Sequence, residues 1–307
     1  MAPSVLFSVQ AYNRCSICNT IIDKNRESDF GFVTGNTTRF IKTNFSVWKC
    51  PNCQSIHSLN VVDFADIYKD YPVNLLQTLD AFARGRFANL LSRLKQACLK
   101  KEHRILDMGC GNGIFIKYLK SKGYNNCFGF DPYVKEFSHL DRTQSFEFIV
   151  ANDVIEHVVS PSDFLKECSE LLCEDGTIYI GTADSDDVEM QHLDQDLLKL
   201  HQPFHRVIVN QNTLEKLARE IPNCRWVKSY RRSYMDTLIP FVNYRFLDEL
   251  NAILGYEMDL AFRPGVGKAI FKNPHVLFYA FFGYFFPSAA EPAVVAVKNR
   301  KNEKESA

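Results

Sequence analysis

The sequence lacks a surplus of charge of either sign: 36 basic and 36 acidic side chains among 307 residues give a formal net charge of zero. A protein that binds duplex nucleic acid normally carries a basic surplus, so the composition gives no support for a nucleic-acid partner. The remaining composition, 46% apolar and 23% charged, is typical of a globular protein long enough to bury a sizeable core.

The chain also lacks a long hydrophobic run and a recognisable signal peptide. Its first residues, MAPSVLFSVQAYNRC, have no basic start and only a brief apolar stretch, so we expect a cytoplasmic protein. The longest apolar run, VLFYAFFGYFF at 276–286, has 11 residues, whereas a transmembrane helix needs ~20. The run predicts a buried helix, with a helix that contacts a membrane surface or lipid as the alternative.

Ten cysteines without a secretory signal indicate free thiols or a metal site rather than disulfides. Two C-x2-C pairs stand out, Cys15 with Cys18 and Cys50 with Cys53. Four thiolates on two tight knuckles suit a tetrahedral zinc ion, and the aromatic and β-branched segments between the pairs are typical of short strands. The pattern predicts a zinc ribbon with a structural Zn2+ in residues 1–66. A redox-active C-x2-C is the alternative.

The segment DMGCGNG at 107–113 places three glycines at alternate positions after an apolar strand. A helical pattern follows it, and a second apolar strand, NCFGFD, ends at Asp131. Strand, glycine loop, helix and strand form half of a doubly wound sheet, whose ligand lies beyond the carboxyl ends of the strands. Ile114 stands where the dinucleotide fingerprint requires its third glycine, which disfavours an NAD-type dehydrogenase.

This D-x-G-x-G-x-G segment resembles motif I of the class I S-adenosylmethionine-dependent methyltransferases. The resemblance implies that the glycine loop passes under the methionine and ribose of the cofactor, S-adenosyl-L-methionine. It also implies that Asp131, 20 residues after Gly111, accepts hydrogen bonds from the two ribose hydroxyls. The cofactor-binding residues that it implies are Asp107, Gly109, Cys110, Gly111, Gly113, Asp131, Pro132, Asn152 and Asp153.

A later segment strengthens the resemblance. A buried strand at 148–150 is followed by NDVIEHV, and Pro161 opens a helix that leads to a fifth strand in EDGTIYIGT. This segment resembles the ubiquinone-biosynthesis O-methyltransferases, in which a D/E-V-x-E-H-V motif recurs. The resemblance covers roughly 104–227 and implies an α/β fold, a doubly wound Rossmann-like sheet whose last strand is PAVVAVKN at 292–299.

One interval departs from that family. Only 15 residues separate Asp131 from Glu147, where the fourth strand begins, although a full helix and a third strand normally fill this interval. The third strand is therefore either very short, near 137–140, or absent, and no residue is assigned to the adenine ring.

The candidate catalytic residues are Asp153, Glu156 and His157, at positions i, i+3 and i+4, with His201 and His205 further along. A helical turn would bring the first three to one face. Such a set can bind a divalent metal, or His157 can act as a base; helix capping and loop bracing are the third interpretation. Quinone-pathway O-methyltransferases and small-RNA 3′-end 2′-O-methyltransferases carry a similar acid-x-x-Glu-His. That resemblance implies a second metal site at Asp153, Glu156, His157 and His205.

The remaining segments are assigned from their composition. Residues 67–100 predict a helical linker or lid, 101–230 with 289–300 the cofactor-binding core, 231–288 a mostly helical insertion, and 301–307 a disordered tail. The many phenylalanines and tyrosines of the insertion indicate an acceptor pocket or lid, and core packing or a dimer face explains them equally well.

Three classes of function are consistent with these patterns. The leading one is a methyltransferase that modifies oxygen or carbon of a small-molecule acceptor, which is apolar, aromatic or lipid-linked. The second is a metal-dependent RNA 2′-O-methyltransferase that uses the ribbon as a clamp, and its RNA affinity would fall steeply with salt. The third is a scaffold that keeps the fold without catalysis, and it would not bind the methyl donor.

Overall fold

The computed structural model describes residues 13–71, 78–261, 266–286 and 291–300. Two sheets and the helices around them make up this part of the chain. The strands are β1 (Phe30–Thr34), β2 (Asn44–Lys49), β3 (Ile56–Ser58), β4 (Ile105–Met108), β5 (Cys127–Phe130), β6 (Phe146–Asn152), β7 (Leu172–Gly181), β8 (Val207–Ile208), β9 (Cys224–Tyr230) and β10 (Ala293–Lys298). The helices are α1 (Phe64–Ile67), α2 (Ala81–Gln96), α3 (Ile114–Ser121), α4 (Pro161–Leu171), α5 (Leu197–Leu200), α6 (Gln211–Glu220), α7 (Tyr244–Ile253), α8 (Met258–Ala261), α9 (Val266–Lys272) and α10 (Pro274–Phe282).

The larger sheet has the strand order β5-β4-β6-β7-β10-β9. Its first four strands are parallel, and β10 is antiparallel to both of its neighbours. All four residues of β4 are buried, as expected for a parallel strand that is covered by helices on both faces. This sheet confirms the predicted doubly wound α/β fold, with its last strand where PAVVAVKN was expected.

Of the two alternatives for the third strand, very short or absent, the structure shows that it is absent. Residues 131–145 are all described, and they contain one 3-10 turn at Lys135–Phe137 and no strand. The four-residue β5 is therefore an edge strand of the sheet. Phe137 covers part of it, because a Cβ on Gly129 would lie 3.0 Å from the Phe137 ring.

The smaller sheet has the order β1-β2-β3-β8. Its first three strands come from the cysteine-rich segment: β1 and β2 lie between the C-x2-C pairs, where short strands were predicted, and β3 follows the second pair. The fourth strand comes from much later in the chain: Ile56 pairs with Ile208, and His57 pairs with Val207. The cysteine-rich segment is thus joined by backbone hydrogen bonds to the loop that follows β7.

The insertion between β9 and β10 is mostly helical, as predicted. Asn243 begins α7 by accepting the Phe246 N–H on its side-chain oxygen (2.8 Å), and Gly255, at φ 69°, follows its end. Among the described residues, no helix is both long and apolar enough to cross a bilayer.

The prediction of a buried helix at 276–286 is wrong. Only Val276 and Ala280 of α10 are buried, where they join Phe246 and Leu250 of α7 in one apolar cluster. The other apolar side chains of the run remain largely at the surface. An all-apolar run does not indicate which of its faces has a partner, so the sequence could not reveal this exposure.

Candidate active site

The glycine loop, residues 109–113, leaves the end of β4 and leads into α3. Gly109, Gly111 and Gly113 all have positive φ, at 75°, 52° and 72°, a region that disfavours residues with a Cβ. A Cβ on Gly109 would lie 2.5 Å from Val154, and one on Gly113 would lie 2.6 Å from Phe137. A Cβ on Gly111 would have nothing within 4 Å. The loop therefore presents open backbone at Gly111, where a ligand can come close.

Asp131 lies beside this open position, directly after β5. Its Oδ2 accepts the Gly111 N–H (3.0 Å), and its Oδ1 accepts the Tyr133 N–H (2.9 Å). Each carboxylate oxygen can accept more than one hydrogen bond, so both retain capacity for a ligand with two hydroxyls. Pro132 is exposed beside it.

Asp107 and Cys110, also predicted for this site, lie further inside. Asp107 is buried, and burial, together with the charge of Asp131, raises the pKa of its carboxyl to about 8. Burial also raises the pKa of the Cys110 thiol. At neutral pH both groups are uncharged, so they shape the loop rather than supply charge to a ligand.

A second group of polar side chains lies at the end of β6. Asp153 has φ 57° and its Oδ2 accepts hydrogen bonds from Asn152 Nδ2 (2.9 Å) and Tyr234 O–H (3.1 Å). Burial raises the pKa of Asp153 to about 6, and the charge of Arg86 opposes that shift. Asn152 and Asp153, predicted from sequence, are thus joined by Tyr234 and Arg86, which the sequence reasoning missed.

Glu291, just before β10, belongs to the same polar group. Its carboxylate accepts the Ser233 O–H, and burial, with the charge of Asp153, raises its pKa. Arg86 Nε is buried without a hydrogen-bond partner among the described residues. Arg86, Tyr234 and Glu291 come from three separated segments, and no motif in the sequence links them to the glycine loop.

Glu156, His157 and His205 form what we call the carboxylate–histidine cluster. One ligand atom from each of them lies within 4.8 Å of the others. Asp153 is not part of this group, because the helical turn begins only at Ile155 and the Asp153 carboxylate is bound to Tyr234 and Asn152. The predicted set of four is therefore divided into a group of three and a separate Asp153.

Neighbouring groups orient each member of the carboxylate–histidine cluster. Thr182 Oγ1 donates to Glu156 Oε2 (2.8 Å). Nδ1 of His157 lies 2.8 Å from the Tyr68 hydroxyl. Nδ1 of His205 lies 2.6 Å from the Lys199 carbonyl oxygen, which can only accept, so this nitrogen carries the proton and Nε2 keeps its lone pair.

The electrostatic environment keeps this cluster close to neutral. Burial and the charge of Asp153 raise the pKa of Glu156 to about 8. Burial lowers the pKa of His205 to about 4, and burial with the nearby His205 lowers the pKa of His157 well below its ordinary value. Both imidazoles are therefore neutral at physiological pH, the form that binds a metal or accepts a proton.

His201 lies next to this cluster but outside it. Its Nδ1 is 2.6 Å from Asn36 Oδ1, and its ring centroid is 5.1 Å from that of His205. Its Nε2 is buried without a hydrogen-bond partner in the part of the chain that the structure describes. His201 therefore supports His205 through ring packing and is not itself a member of the cluster.

Aromatic side chains connect the region of Asp131 with the carboxylate–histidine cluster. The ring of Tyr68 stacks on that of Tyr133, with centroids 4.2 Å apart and planes 2° apart. Tyr133 lies two residues after Asp131, and the Tyr68 hydroxyl reaches His157. The Tyr71 ring lies 6.0 Å from the His157 ring. Tyr68 and Tyr71 thus lie beside the carboxylate–histidine cluster.

The four ribbon cysteines lie together. The Sγ atoms of Cys15 and Cys53 are 3.5 Å apart, and those of Cys18 and Cys50 are 3.6 Å apart. One thiol sulfur from each of the four lies within 4.8 Å of the others, and none forms a disulfide. Tetrahedral zinc with Zn–S bonds of about 2.3 Å needs sulfurs roughly 3.8 Å apart, so this donor set fits a zinc ion.

Arg206 connects the ribbon to the carboxylate–histidine cluster. Its backbone N–H donates to the Glu156 carbonyl oxygen (2.6 Å). Its buried guanidinium donates to Ser58 Oγ (2.8 Å) and to the Asn60 carbonyl oxygen (2.5 Å). Because Arg206 follows His205 and precedes β8, the ribbon fixes the segment that carries His205.

Two curated relatives share a limited region with this chain. The ubiquinone biosynthesis O-methyltransferase of Glaesserella parasuis is 26% identical over 106 residues, which cover 26% of this chain and 44% of that protein. The protein of the same name from Bradyrhizobium diazoefficiens is 30% identical over 100 residues, which cover 26% of this chain and 39% of that protein. The chain thus spans less than half the length of these relatives.

A similar solved structure is that of the plantazolicin methyltransferase BpumL in complex with a triazolic desmethylPZN analogue and SAH. It is 16% identical, with a TM-score of 0.43, and the match covers 74% of this chain and 89% of that one. The model of the family described as "Methyltransferase domain" matches residues 79–259, which is more than half of the 307 residues. The chain therefore belongs to the methyltransferase domain family, within the class I S-adenosylmethionine-dependent methyltransferases.

Proposed function

We propose that the protein transfers a methyl group from S-adenosyl-L-methionine to an oxygen or carbon of a small-molecule acceptor. The observation that carries this proposal is the adjacency of two sites: open backbone at Gly111 with the Asp131 carboxylate beside it, and the carboxylate–histidine cluster after the next parallel strand. Methyl transfer needs a donor and an acceptor held in line, and these two neighbouring sites would hold one each.

The donor lies over the glycine loop in this proposal. Asp131 accepts hydrogen bonds from the two ribose hydroxyls while its existing bonds to Gly111 and Tyr133 keep it in place. Pro132 and Tyr133, which directly follow Asp131, would flank the adenine side. Asp107, Gly109, Cys110 and Gly113 set the course of the loop.

The amino-acid end of the donor lies toward Asn152 and Asp153. Arg86 supports this orientation, because it is a half-buried cation whose buried Nε has no hydrogen-bond partner among the described residues. A carboxylate is the ligand that a guanidinium recognises best. Asp153, held by Asn152 and Tyr234, then faces the donor's ammonium group.

Glu156, His157 and His205 would hold a divalent metal at the acceptor. Their three ligand atoms lie within 4.8 Å of one another, and both imidazoles are neutral. Such an ion lowers the pKa of a bound hydroxyl and so makes a better nucleophile of it. Thr182, Tyr68 and Lys199 act through hydrogen bonds that fix the three side chains.

The four cysteines would hold a structural zinc. With four thiolates and no open position, this ion would stabilise the ribbon and take no part in the reaction. The acceptor is expected to be apolar, aromatic or lipid-linked, because aromatic rings such as Tyr68 and Tyr71 surround the carboxylate–histidine cluster.

Formation of S-adenosylhomocysteine with a panel of catechols, hydroxyquinones and prenylated phenols, with Mg2+, Mn2+ or Zn2+ added, tests this proposal. Turnover with at least one acceptor is expected, and His205→Ala should lower it about a hundredfold, in the range found when a general acid–base group is removed. The exposed His192 provides the matched control, and His192→Ala should leave turnover unchanged.

Metal binding gives a readout that does not depend on activity. A divalent ion should bind to the folded wild type, and His205→Ala should lose it while the donor still binds. Near-normal turnover in both His157→Ala and His205→Ala would remove the cluster from the mechanism. Transfer to RNA with none to small molecules would contradict the proposed acceptor class.

A further inference from the structure

The insertion exposes an unusual number of large apolar side chains. Phe271 is 72% exposed and Phe285 is 66% exposed. Among the described residues outside this segment, only Phe32 and Phe128 are phenylalanines exposed to a comparable degree. What we call the phenylalanine face consists of Phe271, Phe278, Phe281, Phe282, Phe285 and Phe286. Exposed apolar patches of this kind mark interaction surfaces.

Several of these rings are in contact with one another, and the helix that carries them packs on α7. The Phe278 ring lies 5.1 Å from that of Phe282 and 6.0 Å from that of Phe286. On the opposite side of α10, Val276 and Ala280 pack on α7. The helix α10 is therefore anchored to the protein by one stripe, and it exposes Phe278, Phe281 and Phe282 on another.

The segment that carries this face has basic but no acidic side chains. No acidic residue occurs at 260–290, although the chain has 36 in total. Lys268 and Lys272 of α9 are exposed beside the face. His275 is paired with Glu249 of α7, which also binds Arg245. The exposed lysines therefore give the face a basic border without acidic residues in the same segment.

We propose that the phenylalanine face binds peripherally to a membrane that contains anionic lipids. The rings would enter the boundary between head groups and acyl chains, and Lys268 and Lys272 would lie at the lipid phosphates. A second copy of the chain fits less well, since a two-fold contact through this face would bring the same lysines together. Membrane binding in this form does not depend on the proposed function.

The face also lies next to a cavity whose lining includes Lys199, the residue that binds His205. Phe285 and Phe286 line a cavity of about 640 Å³ together with Lys199, and three carboxylates also line it, those of Asp187, Asp196 and Asp248. The Lys199 carbonyl oxygen is the group that accepts the N–H of His205. If the proposed function holds, an acceptor dissolved in the bilayer would approach the carboxylate–histidine cluster from this side.

Sedimentation of the full chain with phosphatidylcholine vesicles, with and without phosphatidylglycerol, tests the inference. The wild type should sediment with the vesicles that contain phosphatidylglycerol, and less so at high salt. Phe271→Ser should weaken the binding about tenfold, which corresponds to about 1.4 kcal/mol. Phe32→Ser is the matched control, because Phe32 is 73% exposed on the ribbon, and it should bind as the wild type does.

A second pair of variants tests the contribution of the lysine charges to membrane binding. Lys272→Glu should weaken binding to vesicles with phosphatidylglycerol, whereas Lys95→Glu, on the exposed side of α2, should not. The inference is overturned if the wild type stays in the supernatant with both vesicles, or if Phe32→Ser and Phe271→Ser weaken binding equally. It is also overturned if the wild type is a dimer that Phe271→Ser dissociates without any vesicle binding.

Titration with S-adenosylhomocysteine separates this inference from the proposed function. Each variant should bind the product as the wild type does, because none of the changed residues lies at the glycine loop or the carboxylate–histidine cluster. Vesicle binding without any affinity for the product would contradict the proposed function and support the membrane surface alone.

Discussion

The glycine loop and Asp131 lie within the 25 residues 107–131, whereas the carboxylate–histidine cluster combines residues from distant segments. The loop depends on backbone conformation, with Asp131 bound to the N–H of Gly111. The cluster depends on side chains that are held by Tyr68, Thr182 and Lys199. The proposed donor site should therefore tolerate changes in the ribbon, whereas the carboxylate–histidine cluster should not.

The largest effect is expected from Cys50→Ser. Zinc binding to structural sites of this kind contributes about 10–16 kcal/mol of folding free energy, so the loss of one thiolate should release the ion and disorder the ribbon. Because β3 pairs with β8 next to His205, turnover should fall more than about a hundredfold, the size expected for loss of a positioned catalytic group. Affinity for S-adenosylhomocysteine should change far less.

Zinc content, turnover and product affinity, measured on the same preparation, check this outcome. Cys98→Ser is the matched control, since Cys98 is exposed and lies outside the cysteine cluster. A Cys50→Ser protein that keeps a full equivalent of zinc and normal turnover would show that the ribbon and the reaction centre are independent.

The second-largest effect is expected from Asp131→Ala, and it should appear in donor affinity. Two hydrogen bonds to a carboxylate would be lost, and removal of charged hydrogen bonds costs about 1.5–3 kcal/mol. Affinity for S-adenosylhomocysteine, measured by calorimetry, should fall roughly fiftyfold. Asp141→Ala is the control, because Asp141 is exposed and also accepts the N–H two residues later (3.0 Å); equal affinities in the two variants would contradict the assignment.

Arg206→Lys should have a smaller effect, confined to turnover. Lysine keeps the charge but lacks the guanidinium group, whose two terminal nitrogens donate to Ser58 and Asn60. His205 should then be held less well, and turnover should fall about tenfold, or 1.4 kcal/mol, with product affinity unchanged. Arg219→Lys, on the exposed side of α6, serves as the control. Equal losses of turnover and product affinity would indicate a general loss of stability instead.

Tyr68→Phe removes only the hydroxyl at His157. One hydrogen bond contributes about 1 kcal/mol, so turnover should fall roughly fivefold, while the stack on Tyr133 is kept. Tyr133→Phe, which keeps the same stack, should leave turnover unchanged. A steady-state comparison of the two variants is sufficient, and equal turnover would show that the Tyr68 hydroxyl does not orient His157.

Asp107→Asn should have the smallest effect on the site. Its donor affinity should stay within about threefold of the wild-type value, because the native carboxyl is already uncharged at neutral pH. Burial raises its pKa from 3.8 to about 8 in the folded protein. Between these two pH values the folded state binds more protons than the unfolded state. The free energy of unfolding therefore decreases as the pH rises toward 8. Unfolding free energies measured across this range should fall less steeply for Asp107→Asn, and parallel curves would contradict the pKa shift.

The contrast between the two parts of the site also explains what the sequence could predict. Strand, glycine loop, helix and acid follow one another in the chain, so the local pattern was sufficient to predict the fold and the position of Asp131 beside the glycine loop. The C-x2-C pairs were recognised for the same reason. The departure after Asp131 could be detected as a short interval, but only the structure could decide that the third strand is absent.

The other features of the site depend on contacts between residues that are far apart in the chain, and the sequence could not reveal these contacts. Tyr234, Glu291 and Arg86 surround Asp153 from separate segments, and nothing near them in sequence indicates this. The pairing of β3 with β8 joins residues about 150 positions apart, so the dependence of His205 on the ribbon was not foreseeable. The separation of Asp153 from Glu156 and His157 arose because the helical turn begins two residues later than the i, i+3, i+4 spacing assumed.

Calorimetric titration of the wild-type protein with S-adenosylmethionine and with S-adenosylhomocysteine, with its metal intact, tests the central claim most directly. The account predicts one binding site per chain for both compounds. Absence of any binding heat for either compound at high concentration, in a folded protein with its metal intact, would contradict the claim that the loop at Gly111 and the carboxylate of Asp131 hold the methyl donor.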